Sequence, residues 1–263
     1  MARRVALVLV AAILLSTASA NIALSSGVQI TESPDFPGCV LVGHPGAQYG
    51  QVKAIVQKGD QRYTYDIRLT EDPECLPLQM GDGDYTVRLM KRTTGNRYQE
   101  VARKYITIEQ LDEQELFLSS VQNVAWKDSP ELVKLAEELT ESCETNAEKV
   151  EIVREYIMEN MEYDYDKART VASGYLPDLD QVLLDEKGIC YDFASLFAGM
   201  LRSVGIPTKL VTGYVGPQRA YHAWSEVYDG DSWQRYDLTR DVTGGRKVPV
   251  TSTTINYETR YVF

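Results

Sequence analysis

Three residues in the last third of the chain have the types that thiol chemistry uses: Cys190, His222 and Asp237. A thiolate can attack a carbonyl, an imidazole can take and return a proton, and a carboxylate can orient the imidazole. Whether they act together depends on the elements that carry them. Cys190 opens a run in which Phe193, Leu196, Phe197, Met200, Leu201 and Val204 recur at helical spacing, and Gly205-Ile206-Pro207 supplies the stop. The spacing predicts a helix with Cys190 in its first turn, toward the buried stripe. Unpaired N–H groups and the positive end of the helix dipole favour a thiolate there. Taken alone, a cysteine on such a face is more often a small core residue.

The other two residues are linked by a register argument. Lys209 to Tyr214, Tyr221 to Tyr228 and Ser232 to Leu238 read as strands, with Asp229-Gly230 as the break before the last. A two-residue loop at Asp229-Gly230 pairs Tyr228 with Asp231 and sets His222 directly opposite Asp237, their Cβ atoms ~5 Å apart. The same register sets Trp233 opposite Glu226. A four-residue loop would make His222 and Asp237 diagonal neighbours on one face, whereas an unbulged three-residue loop would separate them. His44, in the turn-like His44-Pro45-Gly46, is the only other histidine and so the only rival base.

Composition narrows the setting. The 27 basic and 38 acidic residues give a net charge of −11 without a Lys/Arg-rich cluster, so no nucleic-acid partner is expected. Residues 1–20 read as a signal peptide: Arg3 and Arg4, then an apolar run from Val5 to Leu15, then Ala18-Ser19-Ala20. The run is too short to span a bilayer, which needs ~20 apolar residues. The expected product is exported, with no stable membrane insertion after cleavage. Loss of Arg3 and Arg4 leaves 25 basic against 38 acidic residues, or −13. Outside the cytoplasm cysteines tend to pair, and with Cys190 kept free, Cys39 and Cys75 are the expected partners and Cys143 is left over. No metal or cofactor is expected, since the chain has two histidines and no C-x-x-C.

Along the rest of the chain the pattern changes once. Val52 to Val56, Tyr63 to Leu69, Tyr85 to Met90 and Tyr105 to Ile108 read as short strands between turns, which predicts a small antiparallel sandwich. Near residue 120 helices take over. Ser129-Pro130-Glu131 predicts an N-cap with Pro at the first helical position, and Thr145-Asn146-Ala147-Glu148 predicts a capping box. The Tyr- and Asp-rich stretch from Met161 to Leu179 reads as a surface loop that could line a substrate groove. Three segments follow from this: 1–20 a signal peptide, 21–118 a β-sandwich (Ig-like) domain, and 119–263 the part that carries the reactive residues.

Lys187-Gly188-Ile189-Cys190-Tyr191-Asp192-Phe193-Ala194, Leu201-Arg202-Ser203-Val204-Gly205-Ile206-Pro207, Tyr221-His222-Ala223-Trp224 and Tyr236-Asp237-Leu238-Thr239 together resemble the transglutaminase-like superfamily. The resemblance implies an α+β fold: a papain-like/transglutaminase-like core, helices packed on an antiparallel sheet, as the catalytic domain over 119–263. The β-rich part is similar to the small sandwich found ahead of such domains in exported bacterial proteins. The resemblance also implies Cys190 as nucleophile, His222 as general base and acid, and Asp237 as the group that orients His222. Leu238 departs from the family pattern, which more often has Pro after the Asp.

Trp224, two residues from His222 on the same strand face, is a candidate substrate-binding residue, with packing in the sheet as its alternative. The expected activity is that of an exported thiol enzyme acting on protein or peptide substrates, cell-envelope components among them. Hydrolysis is expected ahead of cross-linking, because water is everywhere and an amine acceptor needs its own site. Two other readings stay open: a protein-glutamine acyltransferase, and a catalytically silent envelope-binding or adhesion module.

Overall fold

The computed structural model describes residues 29–34, 38–43, 50–68, 72–244 and 255–263. Residues 1–20, expected to be a signal peptide, and His44 lie outside these described residues. The first part of the chain alternates apolar and polar residues with the period of half-buried strands, and its described residues form seven of them. These are β1 (Gln29–Glu32), β2 (Cys39–Gly43), β3 (Val52–Lys58), β4 (Gln61–Ile67), β5 (Glu74–Pro77), β6 (Gly83–Arg92) and β7 (Tyr98–Ile108). They make an antiparallel three-stranded sheet, β1-β2-β5, and an antiparallel four-stranded sheet, β4-β3-β6-β7. Val40, Val42 and Leu76 of the first sheet share one core with Val52, Val56, Val87 and Leu89 of the second. Cys39 and Cys75, the expected disulfide partners, are neighbours but are not bridged.

Helices then follow as α1 (Glu113–Leu116), α2 (Pro130–Thr140) and α3 (Asn146–Asn160). Pro130 is the first residue of α2, as its fixed φ favours, but Ser129 does not cap it. The Ser129 hydroxyl donates to Ala125 O, and Asp180 from a later helix accepts the Leu132 N–H at 2.9 Å instead. The capping box on α3 is complete: Thr145 Oγ1 accepts from Glu148 N, and Glu148 Oε2 accepts from Thr145 N, both at 3.2 Å. The Tyr- and Asp-rich stretch is more regular than a surface loop. It forms β8 (Glu162–Tyr163) and the short helix α4 (Tyr165–Thr170), which Asp164 caps by accepting from Asp166 N and Lys167 N. After α5 (Leu179–Asp185), β9 (Lys187–Gly188) pairs in parallel with β8.

The central element is α6 (Cys190–Ser203), which packs on a sheet made of β10 (Thr208–Val215), β11 (Ala220–Tyr228), β12 (Trp233–Tyr236) and, after α7 (Leu238–Gly244), β13 (Tyr257–Val262). The sheet is antiparallel, in the order β12-β11-β10-β13. The sequence pattern gives α6 one buried stripe, yet every residue from Asp192 to Arg202 is buried. Two faces account for this. Phe193, Leu196, Phe197, Met200 and Leu201 pack into the core formed with α2, α3, α5 and α7. Ala194 and Ala198 pack with Leu210 and Ala223 of the sheet. These small residues let the helix lie close to the sheet, where Ser225 Oγ donates to Ala194 O at 3.1 Å.

Arg202 is fully enclosed near the end of α6 and donates to Thr208 O, Ser119 O and Phe263 O at 2.7–2.8 Å. The two parts of the chain meet at an aromatic seam in which Tyr63 and Tyr65 pack against Phe263. Among the described residues no helix is long and apolar enough to cross a membrane.

Candidate active site

Ile189 is extended at the entrance to α6, so Cys190 is the first helical residue. Cys190 packs with Ala194 and Ala198 on the sheet side, one face round from the Phe193 stripe to which the sequence pattern assigned it. The side chain of Asp192 reaches back and accepts the Ile189 N–H at 2.9 Å, which holds the first turn. Being at the first position, the Cys190 N–H has no acceptor within its own helix and is free to point at a ligand.

His222 lies on β11, opposite Gly213 of β10. The hairpin that carries it to Asp237 differs from the expected one. The turn is centred on Gly230-Asp231: Asp229 N–H donates to Ser232 O at 3.1 Å, and Tyr228 pairs with Trp233. Gly230 takes a φ of +105°, suited to the first central position of a tight hairpin turn. Asp229 Oδ1 accepts from Asp231 N and Ser232 N, which favours this placing of the turn. Moving the turn by one residue moves the register by two, and a shift of two preserves the faces. His222 and Asp237 are therefore diagonal neighbours, and Glu226 is opposite Arg235 where Trp233 was expected. The strand also ends earlier, at Tyr236, and Leu238 begins α7. Asp237 thus sits just ahead of a helix, and its Oδ1 accepts the Arg240 N–H at 3.3 Å. Leu238 occupies the first helical position, where Pro would also be well placed.

The three reactive side chains meet. His222 Nε2 lies 3.0 Å from both Asp237 carboxylate oxygens. The Cys190 thiol lines the same cavity as this imidazole and is close enough to act on its charge. With Nε2 taken by Asp237, Nδ1 is the nitrogen left to face the thiol. Asp237 is fully buried and His222 nearly so, with 16% of its side chain exposed. Burial alone would push the His222 pKa down, but the hydrogen bonds and charges of Asp237 and Cys190 together raise it to about 9.

Sequence reasoning missed the residue that completes the Asp237 shell. Tyr257 OH donates to Asp237 Oδ2 at 2.7 Å from β13, the edge strand opposite β12, so the two edges of the sheet are tied through one carboxylate. Its ring is held between Trp224, at 5.0 Å between centroids, and the Arg235 guanidinium, 4.3 Å from its centroid. No spacing signal links residue 257 to 237, because the connection passes around α7. Trp224 is buried in this packing, and its indole N–H donates to Glu226. It does not line the cavity beside Cys190, so the sheet-packing role describes its place and the substrate-contact expectation does not.

That cavity, of about 530 Å³, is bounded by Cys190, Tyr191, His222 and Tyr221 on one side and by Tyr163 and the Val171–Tyr175 segment on the other. The groove-lining expectation for the Tyr- and Asp-rich stretch thus falls on these residues. The wall is anchored by a buried ion pair: Lys167 Nζ lies 2.6 Å from Asp192 Oδ2, and Tyr175 OH donates to Asp192 Oδ1 at 2.7 Å. One carboxylate therefore fixes both the first turn of α6 and the facing wall.

Comparison with known proteins falls on the same part of the chain. Residues 133–238 match the sequence model of the Transglutaminase-like superfamily. The uncharacterised protein ML0607 of Mycobacterium leprae (strain TN) is 41% identical over 66 residues, 21% of this chain and 23% of that protein. The uncharacterised protein YebA of Bacillus subtilis (strain 168) is 29% identical over 134 residues, 43% of this chain and 18% of that protein. The match thus spans less than a quarter of the length of either relative. Among solved structures, the periplasmic domain of TgpA from Pseudomonas aeruginosa is 17% identical with a TM-score of 0.39, covering 82% of this chain and 90% of that one. A Cytophaga hutchinsonii protein is 18% identical with a TM-score of 0.44, covering 90% of this chain and 81% of that one. The segment that holds Cys190, His222 and Asp237 is thus similar to the transglutaminase-like superfamily.

Proposed function

We propose that the chain is a thiol enzyme that cleaves protein or peptide amide bonds, with residues 119–263 as its catalytic domain. The observation that supports this most is that Cys190 stands beside His222 at the wall of a cavity while His222 is hydrogen-bonded to Asp237. The Cys190 sulfur forms a bond to the substrate carbonyl carbon, its proton having already passed to His222, which the raised pKa of the ring favours. The developing oxyanion has the Cys190 N–H within the same turn as a donor. His222 then returns its proton to the nitrogen, the carbon–nitrogen bond breaks, and an amine leaves behind a thioester. Water, deprotonated by His222, attacks the thioester and releases the acid and the thiol. Asp237 holds the Nε2 proton so that Nδ1 faces the sulfur throughout. The leader-like residues 1–20 support a site of action outside the cytoplasm.

The test is a peptide-amide library supplied to wild-type protein and to Cys190→Ala and His222→Ala, with and without an added primary amine. Release of free acid that depends on both residues is expected. Capture of the acyl group by the amine as the main product would make cross-linking the activity. Iodoacetamide should label Cys190 faster than Cys143, and His222→Ala should slow that labelling. Equal labelling of both thiols, unchanged by the substitution, together with no turnover, would leave a binding module.

A further inference from the structure

The cavity beside Cys190 has a composition that bears on what it can hold. Around it stand Tyr163, Val171, Ala172, Tyr175, Tyr191 and Tyr221, with His222 as the only charged lining residue among those described. Tyrosine-rich walls often recognise polar groups through their hydroxyls, but here three of those hydroxyls are already engaged. Tyr175 OH donates to Asp192, Tyr191 OH accepts from Asn123 at 2.7 Å, and Tyr221 OH donates to Thr212 Oγ1 at 2.9 Å. The nearest charges are engaged as well: Lys167 is paired with Asp192, and Asp164 accepts the amides of α4. Each of these hydroxyls thus has part of its hydrogen-bonding capacity committed within the protein, and the rings are the larger part of what the three tyrosines present to a ligand. The rest of the lining is mostly apolar, with Val171, Ala172, Ile189, Ala223 and Phe263 beside the hydroxyls of Tyr163, Ser173 and Thr212, so a carboxamide or charged group would lose more water than these few hydroxyls replace, whereas an apolar group would lose nothing.

We infer that the cavity is the acyl pocket of the Cys190 site and takes an uncharged aromatic or branched aliphatic side chain, of the phenylalanine or leucine type, in preference to glutamine, glutamate or lysine. The inference rests on the thiol-enzyme reading for the identity of the acyl group, but the pocket preference itself can be measured without turnover. Its size suits a side chain of that kind together with its flanking backbone. The Val171–Tyr175 wall, pinned by Asp192, sets the preference. Because it is one of the two walls, a charge placed on it should redirect the specificity.

Two measurements separate the pocket from the chemistry. In the first, Cys190→Ala protein is titrated with N-acetyl amino-acid amides of Phe, Leu, Gln, Glu and Lys, followed by NMR shifts of labelled tyrosines. The Phe and Leu amides should bind at least about 10-fold tighter than the Glu and Lys amides, the low end of what one buried apolar side chain contributes. In the second, wild-type protein is given peptidyl fluorogenic amides with the same five residues on the acyl side. Phe and Leu should exceed Glu and Lys by about 100-fold in kcat/KM. Val171→Asp should lower the value for Phe and raise it for Lys. Flat or polar-preferring binding in the first measurement overturns the pocket assignment whatever the second shows. Apolar-preferring binding with no turnover of any amide keeps the pocket and overturns the enzymatic reading instead.

Discussion

Asp237→Asn should move the titration of His222 from about 9 to below its ordinary value of 6.5. The reasoning compares three influences on one ring. Burial disfavours the imidazolium, while the Asp237 carboxylate and the Cys190 thiol both favour it, and Asp237 is the larger of the two. Asn keeps the shape of the acceptor but removes its charge, so burial then outweighs what remains. A rise from 6.5 to about 9 corresponds to about 3 kcal/mol of preferential stabilisation of the protonated ring in the folded protein. The sign follows from linkage: because the folded value is raised, this stability is fully present below 6.5 and is lost as pH rises through about 9. The assay is NMR of histidine-labelled protein, practicable because the chain has only His44 and His222, with His222→Gln to assign the signals. Urea unfolding at either side of that pH window should show the wild type losing about 3 kcal/mol relative to Asp237→Asn. A wild-type His222 signal that titrates at or below 6.5, or one that Asp237→Asn leaves in place, would refute the electrostatic account of the site.

Other outcomes follow from the same geometry. Tyr257→Phe removes the 2.7 Å bond to Asp237 and should lower kcat about 10-fold, within the ~1.5–3 kcal/mol of a hydrogen bond to a charged group. It should also move the His222 titration upward, because an Asp237 with one donor fewer holds the imidazolium more strongly, and a purely packing role for Tyr257 would not move it. Asp192→Asn should destabilise the fold by about 3 kcal/mol in urea unfolding, the low end for breaking a buried pair, since the Lys167 side chain keeps 27% exposure. Adding Lys167→Met to that variant should recover part of the loss. Gly213→Ala should lower Tm by about 4–8 °C, because a Cβ there would sit 2.0 Å from Glu258 O, a backbone atom that can yield only if β13 shifts.

Much of the site was legible because it rests on short-range rules. Helical spacing from Phe193 to Val204 and the Gly-Pro stop at 205–207 located α6, and its observed start places Cys190 where a helix has free N–H groups. The hairpin was legible in parity though not in register. Asp229-Gly230 was read as the turn, whereas the Asp229 side chain bonds to the next amides and moves the turn to Gly230-Asp231. His222 still meets Asp237, since a two-residue shift leaves every side chain on its own face. What escaped was non-local. Tyr257, Lys167 and Tyr175 act on Asp237 and Asp192 across 20, 25 and 17 residues, with no periodicity to announce them. The double-sided burial of α6 escaped as well, because Ala194 and Ala198 carry too little hydrophobicity to mark a face that is buried through closeness instead of bulk.

The three carbonyls gathered by Arg202 bear on the order in which the molecule is built. They lie 83, 6 and 61 residues from Arg202 along the chain, so its guanidinium is solvated until distant segments arrive around it. Pairings of such long sequence separation form late, after the loops between them have closed. The helix that begins with Cys190 therefore seats in its final position only when the loop at Ser119, after α1, and the segment at Phe263 have docked around Arg202. A folding intermediate would hold a helical α6 with its thiol not yet aligned to His222, and reactivity at Cys190 would report the last steps of folding.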